Sequence, residues 1–204
     1  LIEDENSILQ SLEGEKEDPQ IKISEEEGGI LPITTQRNIG VIYHQLAEDA
    51  RLEKQATEAE RYEKLAREAL LSLLISEESS LMTAAVVTSF ARKVSLYTFF
   101  EICGMSFDRA VSIAGSMDEL LREYEKSVAA GTAKAEETEI DSLFSKIKGL
   151  VSDYEMNADY VKLLLAAMAG IYPPEQREVV KEKLIAGELS QAPHVWKAEE
   201  SPPT

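Results

Sequence analysis

The chain holds a single cysteine, Cys103, and two histidines, His44 and His194, so the side chains that most often attack substrates or bind metals are nearly missing. One cysteine forms no internal disulfide, and Cys103 lies in an apolar stretch where a free thiol behaves as a small hydrophobe. That usage fits a reducing compartment and a virion interior equally well. The two histidines are far apart, and neither stands in an H-E-x-x-H or E-x-x-H spacing. A Gly-rich phosphate loop and an EF-hand loop are also missing. Acidic pairs are numerous, as any very acidic chain must have them, and none is marked as an acid/base couple. The expectation is a non-enzymatic protein with no catalytic residue, cofactor or metal.

Positive charge is scarce as well. Against 38 Asp and Glu stand 21 Lys and Arg, a formal net charge of -17. Such a field repels phosphate backbones and anionic lipid, which excludes nucleic acid and membrane surfaces as direct partners. Period-2 alternation and internal repeats are lacking, so a β fold or a repeat array is not expected. The N-terminus, LIEDENSILQSLEGEKEDPQ, is acidic where a secretory signal is basic and then apolar. A start at Leu1 rather than Met suggests a processed N-terminus or a stretch of a longer chain.

What is present is helix. Residues 81–103, LMTAAVVTSFARKVSLYTFFEIC, form the longest apolar run. Its length would span a bilayer, but Arg92 and Lys93 sit at its centre and Glu101 near its end, and a lipid-facing charge costs about 3 kcal/mol. A buried helix of a bundle is the better reading. Residues 158–169, with YVKLLLAAMAGIY around them, are apolar nearly all round and belong beside it. Both should be the most buried helices, so that Phe90→Asp would unfold or aggregate the chain. The five methionines are expected to fill the core.

Four regions follow from these patterns. Residues 1–34 are an acidic arm and linker: ten acids precede Gly28-Gly29, against Lys16 and Lys22, too polar to fold alone and expected to gain order on neighbouring chains. Residues 35–76 read as one long charged amphipathic helix, about 60 Å long at 1.5 Å per residue. It carries Lys54–Glu58, Glu60–Lys64 and Glu63–Arg67 at i,i+4, and a coiled-coil-like seam at Leu52, Ala56, Ala59, Glu63, Ala66, Leu70 and Leu73 that Glu63 interrupts. Residues 77–188 form the helical core domain. Within it Gly104 and Gly131 stop helices, Ser116 with Glu119 reads as a capping box separating two short helices, Asn157 caps the next, and Pro173-Pro174 and Gly187 bound the last. Residues 189–204 are a tail. A weak helix-turn-helix likeness at 107–126 is set aside, because Asp118, Glu119, Glu123 and Glu125 occupy the would-be DNA-reading helix.

The fold expected is therefore all-α, a bundle of about six helices with a long N-terminal helix and extended polar arms. The function expected is a structural or assembly subunit, homo- or hetero-oligomeric, docking on other protein chains through Trp196 and Val195 in the tail and Leu52, Ala59 and Ala66 on the long helix. A virus or phage particle is the preferred setting, a start at Leu1 fitting maturation cleavage, with a cellular scaffold as its rival. The alternative class is an acidic DNA mimic or regulatory adaptor that fills a basic cleft.

Overall fold

The computed structural model describes residues 31–75, 86–133 and 137–191, with side chains described from Arg37, Arg92 and Thr138 onward in the three stretches. By its contacts the chain divides into two units, Leu1–Leu31 and Pro32–Thr204. The fold is all-α. Seven helices run in order among the described residues: α1 Leu31–Leu52, α2 Ala56–Leu74, α3 Val86–Ile102, α4 Phe107–Ala129, α5 Glu137–Asp153, α6 Ala158–Met168 and α7 Pro174–Ala186.

The helix expected over 35–76 is two helices. A turn at 53–55 folds α2 back along α1, which replaces a 60 Å rod with an antiparallel hairpin. The Tyr43 and Tyr62 rings stack with centroids 6.2 Å apart. A Cβ added at Gly40 would lie 2.8 Å from Leu70 Cγ, so the hairpin needs glycine there to close. Heptad spacing is present on both helices. Gly40, Tyr43, Ala47 and Ala50 on α1 are buried, as are Ala59, Ala66, Leu70 and Leu73 on α2. Within the seam Ala66 and Leu70 meet Gly40 of α1, while Leu52 and Ala56 are exposed.

A second difference lies in α4. Gly115-Ser116 does not break it, and one helix runs where two short ones were expected. Ser116 caps nothing: its hydroxyl donates back to the Ser112 carbonyl at 3.2 Å, an in-helix bond that satisfies the side chain without ending the helix. The helix-turn-helix likeness goes with it. Elsewhere the expected punctuation is in place. The Asn157 side chain accepts from the Asp159 and Tyr160 amides at 3.1 and 3.2 Å, and Pro174 occupies the first turn of α7.

Helices α2, α3, α4, α5, α6 and α7 pack in succession, and α7 returns to α2. This closed order explains why α6 is apolar on nearly every side, since α4, α5 and α7 all cover it. Seven of its eleven residues are buried. On α3, Leu96, Phe99 and Phe100 are among the largest fully buried side chains; the Phe90 side chain lies outside the described ones. Met105, Met117, Met156 and Met168 are in the core, as expected of flexible gap-fillers. Leu189 and Ser190, at the head of the expected tail, are buried against the α5–α6 loop: the Asn157 amide donates to Leu189 O at 2.8 Å and the Gln191 amide to Glu155 O at 3.0 Å. Among the described residues no helix is long and apolar enough to cross a membrane.

Candidate protein-docking hairpin

The α1–α2 turn is built from a residue type that rarely makes one. Its amides close a Schellman motif, Lys54 N on Arg51 O at 3.1 Å and Gln55 N on Ala50 O at 2.8 Å, with Lys54 at φ 61° in the left-handed region. Glycine normally takes that place because a Cβ there clashes with the following carbonyl. Three other helices end the same way on glycine, at Gly104 (φ 94°), Gly131 (φ 70°) and Gly170 (φ 73°). Only α5, ending through Glu155 at φ 54°, shares the strained form. Relieving about 1–2 kcal/mol of left-handed strain, less about 0.5–1 kcal/mol for glycine's extra unfolded-state freedom, Lys54→Gly should stabilise the chain by about 0.5–1 kcal/mol. Urea unfolding measures it. Glu155→Gly should match it, whereas Lys54→Val should destabilise.

Side chains hold the strained turn in place. Arg51, on the last turn of α1, forms ion pairs with Glu48 on its own helix and with Glu63 on α2. Glu63, the residue that interrupts the heptad seam, is therefore the acceptor that clamps the two helices across the turn. Its second oxygen lies 3.9 Å from Arg67, which donates to the carbonyls of Ile185 and Gly187 at the C-terminal end of α7 at 3.4 and 3.2 Å. Of the other i,i+4 pairs expected, Lys54–Glu58 cannot form because Lys54 is outside the helix, and Glu58 pairs instead with Arg61 at 3.5 Å.

Leu52 crowns this clamp with 82% of its surface exposed, the most open of the large apolar side chains described. Val41 is also exposed, on the same stripe of α1 three helical turns earlier. Around the apex Asp49, Glu53 and Glu60 are acidic and exposed, with Lys54 the only cation there not taken up by an ion pair. Of the docking residues expected from the sequence, Leu52 is thus displayed. Ala59 and Ala66 are buried, at 3% and 0% exposed. Val195 and Trp196 lie outside the described residues.

His44 sits part-buried on α1. The Tyr160 hydroxyl donates to Leu184 O at 2.7 Å, and burial raises its pKa above the ordinary tyrosine range. Burial likewise pushes the Cys103 thiol up to about 12, with the Arg67 guanidinium pulling it down and Glu63 pushing it up, so it is neutral and a poor nucleophile at physiological pH. Among the described residues no group of three His, Cys, Asp or Glu side chains could hold a metal ion. No protein-family model, no curated protein and no solved structure matches this chain.

Proposed function

We propose that this chain is a non-enzymatic assembly subunit that binds other protein chains through the tip of its α1–α2 hairpin. The observation that carries the reading is Leu52: an almost fully exposed leucine on a turn fixed by a Schellman motif and by the Arg51 clamp. A single exposed apolar side chain is ordinary on a loose surface. On a rigid apex it is preorganised, which lowers the ordering cost of docking, and an exposed leucine that finds no cover in its own fold gains most from a partner's pocket.

Photocrosslinking tests this. A photoreactive side chain at position 52, compared with one at the open position Gly149 on α5, is activated in extract from the native source. A discrete adduct is expected from 52 and not from 149, suppressed by excess unlabelled chain but not by excess Leu52→Asp chain. Equal labelling from both positions, or equal suppression by both competitors, defeats the reading. The sedimentation mass of the purified chain then decides whether the partner is a second copy.

A further inference from the structure

The Glu63 carboxylate lies between two guanidinium groups that serve different parts of the molecule. Arg51 on one side closes the hairpin tip. Arg67 on the other, 3.9 Å away, holds the exit of α7 by donating to Ile185 O and Gly187 O at 3.4 and 3.2 Å. All three Arg67 contacts are long, and its Nε is buried without a partner. The guanidinium is therefore shared between two acceptor sets and fully satisfied by neither. The segment that follows is held by main-chain bonds: Gly187 N donates to Lys183 O at 2.9 Å, Asn157 N to Leu189 O at 2.8 Å and Gln191 N to Glu155 O at 3.0 Å.

We infer that Glu63 couples the hairpin tip to the exit of α7, so that drawing Arg51 away from Glu63 loosens residues 187–191. With Arg51 engaged elsewhere, for instance by a carboxylate of a protein seated on the tip, the Glu63 charge has one neighbouring cation left. That cation is Arg67, and the attraction moves it from the neutral carbonyls toward the carboxylate, since a charge-assisted bond outweighs a long bond to a carbonyl. The α7 exit then loses its anchor. This coupling goes beyond the docking reading and does not depend on which partner occupies the tip.

Two variants of the full chain separate it from simple weakening of the fold. Arg51→Gln removes the tip cation and leaves Glu63 charged; Glu63→Gln removes the carboxylate and leaves Arg67 to the α7 carbonyls. Amide hydrogen exchange should rise about tenfold at Gln55 in both, because both open the tip. At Gly187 and Gln191 the two should diverge, with exchange rising about tenfold in Arg51→Gln and staying at or below wild type in Glu63→Gln. Val161, whose amide donates to Asn157 O at 3.0 Å, reports any global change and should stay constant. Exchange at Gly187 and Gln191 moving the same way in both variants, or unmoved by Arg51→Gln, overturns the coupling.

Discussion

Arg92→Ala should cost about 3–5 kcal/mol and lower the melting temperature by about 10 °C, the largest effect expected of any single polar substitution in this chain. Arg92 Nε donates to Asp118 Oδ1 at 2.8 Å, and Nη1 donates to Glu125 Oε1 at 2.6 Å. The Nη2 group adds a 3.4 Å bond to Asp118 O. Side-chain exposures are 11% for Arg92 and 5% for Asp118, so water screens the pair little. Arg122, 3.9 Å from the far oxygen of Asp118 and half exposed, is no substitute. Truncating Arg92 takes the closest counter-charge from a buried carboxylate between α3 and α4, and the penalty is the desolvation of that under-compensated charge rather than the worth of the pair.

The distinction is measurable. Arg92→Met combined with Asp118→Leu and Glu125→Leu removes all three buried or part-buried charges and should return to within about 1–2 kcal/mol of wild type, because the half-exposed Arg122 that remains is solvated. If the triple variant is as unstable as Arg92→Ala, the cost lies in packing and the orphan-charge account is lost. The same network answers the question the sequence raises about residues 81–103. A charge in the middle of an apolar helix is expensive in lipid, and here α4 supplies two carboxylates to meet it.

Helix ends were legible wherever the terminating residue acts through its own backbone or side chain. Gly104, Gly131, Asn157, Pro174 and Gly187 each do so, and each stands where its chemistry indicates. Lys54 was not legible, because nothing in a lysine asks for the left-handed region; packing of α2 on α1 holds it there. Gly115-Ser116 misleads for the opposite reason. A glycine within a helix costs about 1 kcal/mol, which the burial of Ile113, Ala114, Met117 and Leu121 around it readily offsets. Periodicity marked the face through Ala59 and Ala66 but says only that a face is covered, not by what, and both residues are buried within this chain. Leu52, two positions before the turn, was found by the same pattern and is displayed because the turn cuts the seam there.

Raising the pH from 9 to 12 should unfold the protein progressively, and Cys103 is the group to follow. Its thiol ordinarily loses a proton at 9.0 and in the fold is held to about 12, first by burial. The folded state thus keeps a proton that the unfolded chain gives up. Because the folded value lies above the unfolded one, the stability it contributes is fully present below pH 9 and is lost as the pH climbs toward 12. Three units correspond to about 4 kcal/mol of lost stability at the upper end. Tyr160, Tyr43 and Tyr124 act in the same direction, since burial raises each of them above 10.0, so the fall should steepen beyond pH 10. Urea unfolding from pH 7 to 11.5 measures the slope, and Cys103→Ala isolates one group. That variant should lose about 1 kcal/mol at pH 7 from lost packing, yet overtake wild type above about pH 10, where the native thiol's retained proton costs more than the missing sulfur. Parallel curves for variant and wild type across the whole range would mean that Cys103 titrates normally and that its burial does not set the alkaline limit.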